Sequence, residues 1–269
     1  MKLAPIIIGI ILIVAAGIIF RGSIFGARVD LPKGETKIIM NPDNTEIFVT
    51  DGVKHSIPLD EILGGGPPKD GIPSIDDPKY ISTADASDWL NDEESGLAFS
   101  NNGVDRFYPF QILVFHEIVN DTIGGDRVLI TYCPLCLSGI VFDPLVDGER
   151  VEFGTSGKLW QSNLVMYDRL TGSLWSQILG EAVVGEQTGT KLKVLPFDQM
   201  RFGKWKEQYP DGEVLSRDTG ATRFYGHDPY GNYYTTPGVF FPVRKICRWH
   251  NGEIQPNSKF LVLVGSGSS

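Results

Sequence analysis

Val128-Leu129-Ile130-Thr131-Tyr132-Cys133-Pro134-Leu135-Cys136 decides how this chain is read. The first half is an apolar, partly β-branched run that reads as a strand; the second is a Cys-x-x-Cys pair. Two thiols at that spacing either grip one soft metal ion or close into a reducible disulfide. Just upstream, Phe115-His116-Glu117-Ile118-Val119-Asn120 carries a histidine, and a turn-rich connection at Asp121 to Asp126 separates the two segments. With Val114 to Val119 alongside Val128 to Tyr132 as neighbouring strands, the His116 imidazole and the two sulfurs converge on one point.

Hairpins recur outward from there. Ile47 to Thr50, Asp51-Gly52 and Val53 to Ile57 predict a hairpin with a type I′ turn. A second copy follows in Leu97 to Ser100, Asn101-Asn102-Gly103 and Val104 to Tyr108. Phe48 aligns with Phe99, Gly52 with Gly103, Pro58 with Pro109 and Ile62 with Leu113. Each copy is expected to enter a helical turn at its proline, Pro58 to Leu63 and Pro109 to Val114. Further hairpins are expected around Asp147-Gly148, joining Ile140 to Asp143 with Arg150 to Phe153, and around Asp168 to Gly172, joining Leu164 to Tyr167 with Ser173 to Ser176. Helix is expected at Ala84 to Leu90 and most strongly at Phe197 to Tyr209, stopped by Pro210. The resulting fold class is mainly β, an antiparallel, hairpin-rich sheet or barrel-like domain with a few short helices.

The 269 residues are 42% hydrophobic and 11% aromatic, enough for a real core. Their 31 Gly and 17 Pro are dispersed, as turn-rich β structure requires. Net charge is −9 and no basic stripe is present, which argues against nucleic acid as a partner. Lys2, the uncharged run Ala4 to Phe20 and Arg21 predict one N-terminal transmembrane helix at the short end of spanning length. No small-x-small cleavage site stands out, so residues 1–22 are expected to remain as a membrane anchor. A linker over 23–34 and a single extracytoplasmic β-rich domain over 35–269 follow. The body is then held at the cell membrane by a single pass, or secreted if the segment is cleaved.

Several blocks in order carry a family resemblance: Tyr108-Pro109, His116 to Asp121, Tyr132 to Cys136, Ser138-Gly139 and Phe153-Gly154. They continue with Ser162-Asn163-Leu164, Met166 to Arg169 and Ser173 to Gln177. From Gly71 to Pro242 the chain resembles the family catalogued as domain of unknown function 3179, whose members are similar in being exported or membrane-anchored. The resemblance implies a further strand-and-turn segment after the last strand. Here Lys259 to Gly265 begins such a strand and stops, so Phe260 to Val264 is expected to leave a C-terminal edge open to a partner chain or a second copy.

The chemistry leaves three readings of the thiol pair. Cys133, Cys136 and His116 with Met166 form a soft ligand set suited to copper, and a carboxylate in place of the thioether suits zinc. Glu117 and Asn120 are then placed to orient His116. Alternatively the pair is a thiol–disulfide exchange centre, although Leu137-Ser138-Gly139 leads toward a strand and not into a helix. The bland alternative is a static disulfide or two buried thiols in a cell-surface structural or assembly module. His116-Glu117 is not a zinc-protease motif, because Asn120 stands where the second histidine is needed. Ser156 lacks the flanks of a nucleophile elbow. Cys247 alone reads as a packed small hydrophobe, Met166 by itself as core, and His227 as a loop residue. The leading expectation is a membrane-anchored extracytoplasmic copper-binding protein in metal handling or electron transfer, with no catalytic activity indicated.

Overall fold

Asp51-Gly52, Asn102-Gly103 and Asp147-Gly148 each place both residues at positive φ, +50 and +82, +50 and +80, +50 and +83. These are the type I′ turns that match the twist of paired strands, and Asp or Asn before Gly suits them because both tolerate left-handed backbone. They organise a computed structural model that describes residues 30–41, 45–237, 240–241, 247–250 and 253–256, the last two stretches by backbone alone. The expected anchor over 1–22 and the Phe260 to Val264 strand lie outside the described residues. No helix among the described residues is long and apolar enough to cross a membrane.

The two expected hairpin copies form. Glu46–Thr50 pairs with Val53–His55, and Ser95–Asn101 with Val104–Pro109. Each runs through its proline into a helical turn, Leu59–Glu61 and Phe110–Leu113. An eight-stranded antiparallel sheet runs in the order Thr36–Met40, Glu46–Thr50, Val53–His55, Glu181–Val184, Leu174–Ser176, Asn163–Asp168, Phe153–Trp160, Ile62–Gly64. A four-stranded sheet runs Lys193–Val194, Ser138–Asp143, Asp126–Cys133, Ile118–Ile123. A five-stranded sheet runs Asp198–Arg201, Ser95–Asn101, Val104–Pro109, Glu213–Leu215, Tyr80–Ser82, with one parallel pairing of Glu213–Leu215 on Val104–Pro109. The mainly antiparallel β class holds; none of the sheets of the described residues closes into a barrel.

The four-stranded sheet is the middle layer. Cys133, Leu129 and Phe142 belong to a core shared with Leu164, Met166 and Trp175 of the eight-stranded sheet. Ile130, Tyr132 and Val141 belong to a core shared with Leu97, Phe99 and Tyr108 of the five-stranded sheet. From Val128 to Cys133 every residue is buried, so successive side chains point into opposite cores and no solvent face exists.

Three expectations are corrected. Asp147-Gly148 joins the short strands Leu145–Val146 and Glu149–Arg150, while Ser138–Asp143 and Phe153–Trp160 enter different sheets. Phe197 to Tyr209 is not one helix: Asp198–Arg201 pairs with Ser95–Asn101, and helix is confined to Phe202–Gln208. The free edge of Ser95–Asn101 offers ladder hydrogen bonds to that first turn, and tertiary pairing overrides local propensity. The Ala84 to Leu90 helix is likewise only Thr83–Ala86, with Ser82 Oγ accepting from the Asp85 amide at 3.1 Å.

Asp121 ties the middle layer to the five-stranded sheet. Its buried carboxylate accepts from Arg106 at 2.9 Å and from the hydroxyls of Tyr80 and Tyr108. Arg106 also pairs with Glu213 at 2.9 Å and lies over the Tyr80 ring. Burial pushes both phenols up, so they stay protonated donors. Asp121→Ala removes the shared acceptor of Arg106, Tyr80 and the buried Tyr108 and is expected to destabilise the fold by about 3–5 kcal/mol. The check is a lowered urea midpoint with unchanged denaturant slope.

Candidate functional site: a hydrogen-bonded thiol pair

The Asp126–Cys133 strand ends at Cys133, and Ser138–Asp143 returns beside it with Ser138 opposite Cys133. Pro134 to Leu137 are therefore the turn of a hairpin, closed by Leu137 at φ +52. This confirms that the motif leads into a strand. Cys133 is 1% exposed, beneath a partly exposed Cys136, and the two are not bridged.

The two sulfurs have unlike surroundings. Cys136 Sγ lies 3.1 Å from Ser138 Oγ and 3.2 Å from Asn163 Nδ2, and the neighbouring Cys133 thiol also favours its anion. Asn163 uses its second amide proton on Gln177 Oε1 at 2.9 Å, and its Oδ1 accepts from the Ile178 amide at 3.1 Å. Gln177 in turn donates to Thr131 Oγ1 at 3.1 Å and to the Ser138 carbonyl at 3.2 Å. Ser138 has a single hydroxyl proton, placed between Gln177 Oε1 at 2.9 Å and the sulfur. When Cys136 is a thiolate, that proton turns to it.

These donors act on protonation. The Cys133 thiol, helped by Ser138 and Asn163, outweighs burial and lowers the Cys136 thiol to about 6. Burial, and the neighbouring Cys136 sulfur, push the Cys133 thiol well up. One sulfur is thus an activated nucleophile at neutral pH and its neighbour a protonated thiol.

Glu117 completes the group. It is 6% exposed, takes φ +60, and its carboxyl has no hydrogen-bond or ion-pair partner among the described residues. Burial, followed by the Cys136 charge, raises it to about 8. Its backbone carbonyl accepts from the Tyr132 amide at 2.7 Å, which fixes it beside the end of the cysteine-bearing strand. Among the described residues, the four at positive φ other than Gly, Asp and Asn all belong here: Glu117, Leu137, Gln161 and Ser162. The last two form the turn before Asn163.

His116 faces another way. Nδ1 donates to the Pro73 carbonyl at 2.8 Å, so Nε2 is the bare nitrogen, and it accepts from the Tyr225 hydroxyl at 2.6 Å. The lone pair that a metal would use is occupied, and burial lowers the ring's affinity for a second proton. Among the described residues no group of three or more His, Cys, Asp or Glu could hold a metal ion, so the structure does not bring His116, Cys133 and Cys136 together as one ligand set. Asn120 does not orient His116. It clamps the Phe153–Trp160 strand, donating to the Phe153 carbonyl at 2.8 Å and accepting from the Phe153 amide at 2.9 Å. Met166 is fully buried between the strand partners Thr155 and Trp175, in the same core cluster as Cys133.

Sequence reasoning missed Ser138, Asn163 and Gln177 as site residues. The available signal was their polarity: an Asn and a Gln on either side of strands otherwise apolar enough to be buried require internal partners. It also left the Tyr225 to Tyr234 loop unassigned. Tyr225 binds His116, and Tyr233 donates to the Leu135 carbonyl at 3.0 Å between the two cysteines.

The model of one family, described as protein of unknown function (DUF3179), matches residues 69–264, and the chain belongs to that family. No curated protein and no solved structure matches.

Iodoacetamide alkylation of Cys136, followed by peptide mass spectrometry, is expected to have its midpoint near pH 6. Asn163→Ala removes one donor to the thiolate and moves that midpoint up by roughly one to two pH units. Glu117 gives a second pH signature. Its pKa is raised from 4.5 to about 8, so the stability its neutral form contributes is complete below pH 4.5 and lost as pH rises through 8. Glu117→Gln should match the parent near pH 4 and exceed it at pH 9 by on the order of 4 kcal/mol in chemical denaturation.

Proposed function

We propose that this member of the DUF3179 family is a membrane-anchored extracytoplasmic thiol–disulfide exchange protein, with Cys136 as the attacking thiolate, Cys133 as the resolving thiol and Glu117 as the group that handles the Cys133 proton. The observation that carries the reading is the asymmetry of the two sulfurs: Cys136 is partly exposed with Ser138 Oγ and Asn163 Nδ2 within 3.2 Å, which favours its anion, and Cys133 is buried, which favours its thiol. Exchange chemistry needs that division of roles, because the thiolate attacks and the second thiol must wait its turn.

The substrate is a disulfide, on a protein or a small molecule. Cys136 S⁻ attacks one substrate sulfur, the substrate S–S bond breaks, and the departing thiolate leaves with its electron pair to be protonated. Cys133 then gives its proton to the Glu117 carboxylate and attacks Cys136 Sγ. The mixed disulfide breaks, the second substrate sulfur leaves as a thiolate with that bond's electron pair and takes up the proton held by Glu117, and a Cys133–Cys136 disulfide remains. The protein dithiol is oxidised by two electrons as one disulfide is reduced to two thiols; the reverse sequence oxidises substrate. Glu117, raised to about 8 in the free dithiol, can hold or release a proton at neutral pH. The run Ala4 to Phe20 supports placement of this body at the membrane surface, where disulfide-bearing proteins are found.

A second reading keeps copper. Cys133 and Cys136 stay side by side as soft ligands with the Met166 thioether in the same core cluster, a set suited to Cu(I). One experiment separates the two. Full-length protein in lipid nanodiscs is reduced and mixed with 5,5′-dithiobis(2-nitrobenzoate), and metal content is measured in parallel on protein made with copper and zinc supplied. Exchange predicts release of two thiolates with a Cys133–Cys136 disulfide formed, no reaction in Cys136→Ser, and a trapped mixed disulfide in Cys133→Ser. Stoichiometric copper, lost in Cys133→Ser, together with a thiol pair inert to the reagent, rejects exchange for the metal.

A further inference from the structure

A cleft of about 720 Å³ opens beside the thiol pair, within the range of sites that take small molecules, roughly 300–1,000 Å³. Ile72, Phe115, Leu164 and Tyr230 supply apolar wall, and Leu135, the residue between the cysteines, forms part of its border. Lys158, Arg223 and Glu117 also line it, and burial raises the Glu117 carboxyl to about 8, so at neutral pH the cations set the sign. Neither Lys158 nor Arg223 has a carboxylate partner among the described residues, in a chain with 33 acidic against 24 basic side chains. With acids in excess, a basic side chain beside an apolar wall would ordinarily find a counterion. Lys69, close enough to act on Lys158, is turned over the Tyr167 ring at 3.6 Å and adds a third positive charge. Burial and that like charge both disfavour the Lys158 ammonium, a cost that an incoming anion removes.

We propose that this cleft binds a small apolar organic acid, its aromatic or branched aliphatic body against Ile72, Phe115 and Leu164 and its single negative charge between Lys158 and Arg223. Two cations give the site its sign, and the absence of internal carboxylate partners leaves them available to a ligand. The apolar wall accounts for a body that water would otherwise have to solvate. The inference does not rest on thiol exchange, since neither cysteine lines the cleft, although Glu117 of the exchange reading borders it.

The test uses the full chain in lipid nanodiscs, with protein-free nanodiscs as blank, titrated with 2-naphthoate, naphthalen-2-ylmethylammonium and 2-naphthalenemethanol. The expected result is one saturable 2-naphthoate site, at least about tenfold tighter than either analogue, a gap of ~1.4 kcal/mol or more. Lys158→Met and Arg223→Met should each weaken it by at least about fivefold, while Cys136→Ser leaves it unchanged. Ile72→Trp, a filling substitution at a partly exposed position, should block it with the circular dichroism spectrum retained. No saturable binding, equal binding of the ammonium analogue, or full binding by a folded Ile72→Trp protein overturns the proposal. Binding that survives in Cys136→Ser while exchange is lost separates this site from the exchange reading.

Discussion

From Val128 to Cys133 the central strand has no side that meets water, and the remainder of the body is arranged around that fact. A strand buried on both faces is held in register from both faces: a slip of one residue would put Tyr132 and Ile130 into the core built for Cys133 and Leu129. The hairpin with Ser138–Asp143 inherits the same fixed register, which sets Ser138 opposite Cys133. Placement of a hydroxyl beside the Cys136 sulfur is therefore a consequence of core packing several residues away. On the other face the Asp121 network repeats the principle with polar groups, joining Ile118–Ile123 to Tyr80, Tyr108 and Arg106.

Inside this double core a polar group left without a partner costs free energy of the order of 1–3 kcal/mol, so the amides of Asn163 and Gln177 are found with both ends engaged. Their mutual hydrogen bond leaves one Asn163 proton over, and that proton lies on Cys136. The difference between the two cysteines follows from this supply of donors and from depth, and not from their order in the chain. Cys133 is at the end of the buried strand, where burial outweighs the one Leu164 amide that favours its anion; Cys136, out on the turn, has the hydroxyl and amide of Ser138 and Asn163 beside it.

Much of the framework was legible in the sequence because it is local. Asp-Gly and Asn-Gly turns announce hairpins through a requirement on two φ angles, and both copies formed with a helical turn after the proline, although Ile62 of the first opens a strand where Leu113 of the second is helical. What failed was non-local. Asp198–Arg201 has a helical neighbourhood but lies at a sheet edge that only the assembled fold provides. Cys133, Cys136 and Glu117 were identifiable by type and spacing, whereas the direction of the His116 ring was not. Its partners Pro73 and Tyr225 lie far away in the chain, and no periodicity connects them. Ser138, Asn163 and Gln177 carry no motif; their meaning comes from burial, which a sequence shows only as polarity out of place.

Backbone strain is the remaining clue to why this corner of the molecule is built as it is. Glu117, Leu137, Gln161 and Ser162 all hold left-handed conformations that cost an L-residue about 1–2 kcal/mol each. At the type I′ turns elsewhere the same φ is taken by Asp or Asn followed by Gly, at little cost. The four costly residues are not scattered. Leu137 closes the cysteine turn, Gln161 and Ser162 aim Asn163, and Glu117 is held beside Tyr132 by its own carbonyl. Glycine would relieve the strain at each point but would also free the backbone that sets the donors around Cys136. A flexible donor stabilises a thiolate less than one already in place, because its ordering has to be repeated each time charge appears. Strain concentrated around the sulfur's neighbours supports the exchange site proposed above over a static, merely packed pair of thiols.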